Sequence, residues 1–203
     1  NKLLKKNGYS SIHYDKGRLA KRIQANFIFS RPLLDGVDQY CGYTDMELCG
    51  EFYAYRLFPL LDLQYPGSCF IYNTRDVNRW VDSRLNHRNG KYARTYLSRM
   101  QRAFEDPSLT LDDLRQHWVE AWQRHDADLR TYFAGRNNFF EFDITVSNEQ
   151  AALCRFLRRR GYPHPWQCVV PLRSSLIACR KSMSQVLATI ADRRYLGPPA
   201  LAS

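Results

Sequence analysis

The chain reads as an α/β protein built on a mainly parallel sheet, and three observations predict it. Short apolar runs alternate with longer amphipathic segments, the pattern of successive βα units. One run, CFIYNT at 69–74, ends abruptly in the polar turn Arg75-Asp76 and opens an amphipathic segment. A second run, Phe139 to Phe142, is again followed by a turn and a helical pattern, which reaches Arg160.

The elements follow in order. Leu3, Leu4, Lys5 and Lys6 read as the end of a helix stopped by Asn7-Gly8. Tyr9 to Tyr14 reads as a short strand. Asp15 is placed to cap a helix running to about Phe29, with Leu19, Ile23 and Phe27 on one face, and Arg31-Pro32 breaks it. Asp38 to Tyr43 reads as a strand. Thr44 or Asp45 then caps a helix ending near Gln64, kinked or interrupted at Pro59. The strand at 69–74 leads into a helix from Asp76 to about His87, and Asn89-Gly90 turns the chain.

The C-terminal half is rich in helix. Residues 91–104 and 110–134 form two helices around the break Asp106-Pro107-Ser108. The second is capped by Thr110, with Asp112 and Asp113 in its first turn, and Gly135 stops it. After the strand at Phe139 to Phe142 and the helix that ends at Arg160, a last helix spans about Ser174 to Arg193. A terminal tail covers 194–203.

With 203 residues, a single domain over 1–203 is the expectation. Hydrophobic residues make up 44% and aromatic ones 14%, enough for a packed core. No apolar run approaches a membrane span and nothing resembles a secretory signal. The formal net charge is +10, with the cations spread along the chain. An anionic nucleotide would use part of that charge, and an anionic acceptor or general solubility the rest; nucleic acid is not the expected partner. The six cysteines (41, 49, 69, 154, 168, 179) show no metal-binding spacing, and Cys69 and Cys154 sit in apolar patterns. Reduced thiols and a cytoplasmic location follow as expectations. No metal-ligand cluster is apparent, so no metal is expected.

The chemistry concentrates at 66–83, PGSCFIYNTRDVNRWVDS. In open α/β sheets, ligands bind at the carboxyl ends of strands, where such strand-to-helix junctions lie. Arg75 there can fork onto a phosphate, and the amides of a helix N-terminus add a favourable dipole. Ser83 lies eight residues on, about two helical turns, so it shares an anion with Arg75 only if that anion rests along the helix. The competing reading is a plain cap, with Asp76 accepting from next-turn amides and Arg75 paired to a carboxylate.

In its frame, this segment resembles the 3′-phosphate-binding signature of sulfotransferases that use 3′-phosphoadenosine 5′-phosphosulfate. Tyr65-Pro66-Gly67-Ser68 stands before the strand, Arg75 and Ser83 are eight apart, and Trp80 falls at the family's tryptophan. FFEFDITVSNEQAALCRFL at 139–157 is similar to the family's late strand and helix, and the likeness spans most of residues 3 to 165. The resemblance implies a three-layer sandwich of the P-loop nucleotide-binding type. It implies sulfonate transfer to a hydroxyl or amine of a small-molecule, glycan or lipid acceptor, with Arg75 and Ser83 binding the cosubstrate. The family's 5′-phosphosulfate loop (Pro, a basic residue, then a Ser/Thr-Gly-Ser/Thr run) has no counterpart within 1–203; the expectation is that it lies before Asn1.

For a base, the resemblance points to CGYTDMELCGEF, where Asp45 and Glu47 are candidates beside their readings as helix cap and first-turn carboxylate. His13, at the end of the preceding strand, is the third. Trp118, Trp122 and His125 recur at helical spacing, as helix packing or the lining of an acceptor pocket. The alternatives are a non-catalytic module with the same fold, binding a nucleotide or a partner, and a P-loop kinase relative.

Overall fold

The computed structural model describes residues 1, 4–5, 8–48, 51–146, 149–160 and 177–179. The described residues fall into two compact units, one from 1–74 together with those after 134, the other from 75–134.

The first unit is α/β. Its main sheet contains β1 (Ser11–His13), β2 (Gly42–Thr44), β5 (Cys69–Thr74), β6 (Phe139–Asp143) and β7 (Ile177–Cys179), in the spatial order β1-β2-β7-β5-β6. β1 runs parallel to β2, with His13 opposite Thr44, and β5 parallel to β6, with Thr74 opposite Asp143. β7 is antiparallel to both β2 and β5. The sheet is therefore mixed, with its two parallel pairs on either side of one reversed strand. Because β7 reverses twice, β1, β2, β5 and β6 share one direction and end on one edge.

β5 lies deep because its run of apolar residues has no exposed face. Cys69 and Ile71 join Leu4, Phe142, Leu153, Cys154 and Leu157 in one core cluster, the last three from α6 (Glu149–Arg159). Phe70 and Tyr72 point to the other face by strand alternation and are also buried. The two sequence-predicted small hydrophobes, Cys69 and Cys154, are buried as expected, at 0% and 3% exposure. Asp62 ties down the entry to β6, taking Arg136 at 2.6 Å and Asn138 at 2.9 Å.

Several expectations are corrected in this unit. Asp15 does not cap the first long helix. It lies in a 3-10 turn (Asp15–Gly17), its carboxylate takes two bonds from Arg18 at 2.8 and 3.0 Å, and Gly17 at φ 82° leads into α1 (Arg18–Ile28). The strand expected at 38–43 is shifted to β2, since the Tyr43 hydroxyl reaches the Val37 and Tyr40 carbonyls and folds that segment into turns. Residues 44–48 and 51–53 are not helical. They supply the end of β2 and a hairpin of β3 (Glu47–Leu48) and β4 (Phe52–Tyr53). Pro59 then sits in the first turn of α2 (Phe58–Gln64), where its missing N–H costs nothing, and it does not kink a longer helix. Ile177–Cys179 is a strand where a helix was expected; the rest of 174–193, and the tail, lie outside the described residues.

The second unit is helical: α3 (Val77–Leu85), α4 (Lys91–Ala103) and α5 (Leu111–Tyr132). Asp76 caps α3, its carboxylate accepting from the Arg79 amide at 2.9 Å. Thr110 caps α5 in a reciprocal capping box with Asp113, as its position after Pro107-Ser108 predicts. The hydrogen bonds from Thr110 hold the Asp113 carboxyl below its ordinary range. The three helices meet at Arg84. Its guanidinium lies 4.8 Å from the ring centres of Trp80 and Trp118, 5.2 Å from Tyr92 and 5.4 Å from Tyr96. It also donates to the Tyr92 and Tyr96 hydroxyls at 3.1 and 3.2 Å. Trp118 thus packs inside the helical unit, 3% exposed, as the packing reading of its spacing has it.

Candidate functional site

The shared carboxyl edge of β1 and β2 brings together two of the three candidate bases. His13 is the last residue of β1, Thr44 the last of β2, and Asp45 follows directly. His13 Nδ1 lies 2.9 Å from Thr44 Oγ1, and His13 Nε2 lies 3.8 Å from Asp45 Oδ2. Thr44 Oγ1 also lies 3.4 Å from the Ile12 carbonyl. Donor and acceptor at the His13–Thr44 contact follow the imidazole tautomer, and Nε2 faces the Asp45 carboxylate. The His13 side chain is 51% exposed and that of Asp45 38%, so a substrate hydroxyl can reach Nε2. Asp45 is then placed to stabilise the imidazolium that a proton transfer would form.

The backbone around this pair is unusual. Tyr14, Asp15 and Lys16 follow β1 with φ of 53°, 47° and 55°, and Asp45 follows β2 with φ of 57°. Each has a positive φ, which costs a side-chain-bearing residue on the order of 1 kcal/mol. Asp45 therefore does not act as a helix cap; it turns the chain out of β2 and lays its carboxylate beside His13. Glu47 stands instead in the hairpin, opposite Tyr53, as a strand residue and not in a first helical turn.

Arg75 follows the last residue of β5 and opens the helical unit. It is half-buried, and its Nε is shielded from solvent with no hydrogen-bond partner among the described residues. A donor in that state is what an oxyanion satisfies. The carboxylate pairing of the plain-cap reading is not present for Arg75 among the described residues, while its other half, Asp76 as cap, is. This changes where an anion can rest. Asp76 fills the first-turn amide of Arg79 and puts a negative charge at the helix N-terminus, so a phosphate is not held there. Ser83 is exposed on the side of α3.

That face carries a residue that the sequence reading missed. Arg79 is exposed, four residues after Arg75 and four before Ser83. The i, i+4 spacing puts Arg79 and Ser83 on neighbouring turns of one face, and that spacing is the signal that could have found it. Thr44, which holds the His13 ring by a 2.9 Å hydrogen bond, was equally hidden, because that contact arises only from the pairing of β1 with β2. His87 is exposed and meets the Tyr92 ring edge-on at 5.4 Å. No cluster of three or more His, Cys, Asp or Glu residues able to hold a metal occurs among the described residues. Nor is any described helix long and apolar enough to cross a membrane.

Comparison with family models, with curated proteins and with solved structures finds no match to this chain.

Proposed function

We propose that the chain is a sulfotransferase of the type that uses 3′-phosphoadenosine 5′-phosphosulfate, with the P-loop-type sandwich that this implies. The observation that carries the reading is Arg75, a half-buried arginine with an unsatisfied Nε directly after β5, in the frame Tyr65 to Ser83 that resembles the family's signature. In this reading Arg75, with Arg79 and Ser83 along α3, holds the 3′-phosphate and fixes the nucleotide by binding energy remote from the reacting sulfur. The cosubstrate supplies an activated sulfonate. An acceptor hydroxyl attacks the sulfur and its proton passes to His13 Nε2. The new S–O bond forms as the S–O bond to the 5′-phosphate breaks, releasing adenosine 3′,5′-bisphosphate. Asp45 stabilises the imidazolium.

Calorimetric titration with adenosine 3′,5′-bisphosphate tests the reading. Wild type is expected to bind, Arg75→Ala to bind about tenfold or more weakly, and His13→Ala to bind within about twofold of wild type while losing turnover. No binding by the wild-type protein sinks the assignment, and equal binding by Arg75→Ala sinks the role of that residue. Tight binding without sulfonate transfer to hydroxyl or amine acceptors supports the non-catalytic module instead.

A further inference from the structure

The positive charge of this protein is not evenly used. Residues 83–104 hold Arg84, Arg88, Lys91, Arg94, Arg99 and Arg102 and no Asp or Glu. Arg84 is enclosed by its four rings. Arg88, Lys91, Arg94 and Arg102 are exposed, and none has a carboxylate partner among the described residues. On α5, by contrast, Arg115 pairs with Asp82 at 2.7 Å and Arg130 with Asp126 at 2.9 Å.

The free cations are aligned. Lys91, Arg94 and Arg102, with Ser98 between the two arginines, share one face of α4 at spacings of three, four and four, over about 16 Å of helix. Two of them are held in place by their own helix end and turn: Arg94 donates to the Asn89 carbonyl at 3.1 Å and Arg102 to the Ser98 carbonyl at 3.3 Å. Each keeps further N–H groups for a ligand, and the fixed geometry lowers the entropy cost of docking.

We infer that this face of α4 docks a linear acidic polysaccharide. Between the cations it offers hydroxyl acceptors. Thr95 and Ser98 give their protons to the Lys91 and Arg94 carbonyls, each at 3.0 Å, which leaves their lone pairs for sugar hydroxyls. Single-stranded nucleic acid would need exposed rings for base stacking, and the α4 tyrosines, Tyr92 and Tyr96, are committed to Arg84. A bilayer surface would need a row of apolar residues beside the cations, and α4 offers a single exposed large hydrophobic, its C-cap Phe104. The surface rests on its own charge pattern and stands or falls apart from the nucleotide reading.

The test titrates the 203-residue protein with size-defined dextran sulfate and polygalacturonate, with a thymidine oligonucleotide of equal charge, and with phosphatidylserine-containing vesicles. The polysaccharides are expected to bind tightest, with affinity falling as salt rises. Replacing Lys91, Arg94 and Arg102 together by Gln is expected to raise Kd about tenfold or more, while Lys21→Gln with Arg124→Gln and Arg155→Gln changes it less than about twofold. Should the triple variant lose helix by circular dichroism, Lys91→Gln with Arg102→Gln serves, with a smaller but separate loss. Tighter binding of the oligonucleotide or vesicles, no polysaccharide binding, or an equal loss in the control variant overturns the inference.

Discussion

Replacing Arg84 tests how the helical unit is held together. Four ring centres lie between 4.8 and 5.4 Å of its guanidinium, inside the range of cation–π attraction. Each such contact contributes about 0.5–1 kcal/mol near a surface and more when desolvated, though four contacts to one cation do not add in full. The two bonds to tyrosine hydroxyls add roughly 1 kcal/mol each, and Tyr96, at 4% exposure, would lose a donor where water reaches poorly. Arg84→Ala should therefore cost about 2–4 kcal/mol, allowing for the desolvation of the guanidinium in the folded state. With a urea dependence of about 2 kcal/mol per molar, the midpoint falls by roughly 1–2 M. Tryptophan emission is a suitable readout, because Trp80 and Trp118 flank the cation. Arg84→Lys keeps the charge but cannot fork onto both hydroxyls, so it should recover about half the loss. Arg84→Met keeps only the packing of the stem. A midpoint for Arg84→Met within about 0.2 M of wild type would refute the reasoning, since charge and hydrogen bonds would then contribute nothing.

Two further outcomes follow from local geometry. Thr110→Ala should cost about 1 kcal/mol at neutral pH by removing the cap of α5. Because the folded Asp113 carboxyl lies below its ordinary value of 3.8, its contribution is present above that pH and disappears as pH falls through the folded value, so urea melts of wild type and variant should converge on acidification. At Asp45, φ 57° suits glycine: Asp45→Gly should leave the urea midpoint unchanged or higher, while Asp45→Val should cost about 1–2 kcal/mol, and equal midpoints for the two would contradict the left-handed turn after β2.

Where neighbours in sequence decide the structure, the reading of the chain holds. The β5–α3 junction is visible because an uninterrupted apolar run meets Asp76, and that aspartate caps α3 through its own third-residue amide. The start of α5 is visible for the same reason, as Thr110 and Asp113 satisfy each other within one turn. The errors lie where partners are distant. Residues 44–53 carry enough apolar and aromatic side chains for a helix, yet Gly50 weakens one and Pro59 fits only a helix start, and pairing to β1 and between β3 and β4 prevails. Ile177–Cys179 sits in a helical pattern, but strands β2 and β5, more than a hundred residues earlier, leave a gap whose backbone groups it satisfies.

The candidate site divides along the same line. Sequence alone determined which residue types could act: an arginine and a serine eight apart after a strand, and a histidine and carboxylates near strand ends. Tertiary structure decided which of them meet. The β1–β2 register sets His13 beside Thr44 and Asp45, while Glu47 turns away into a hairpin. The cap at Asp76 occupies the Arg79 amide and places a carboxylate at the start of α3. Spacing along one chain fixes distances only within a helix or strand, and the contacts that make a site cross between them.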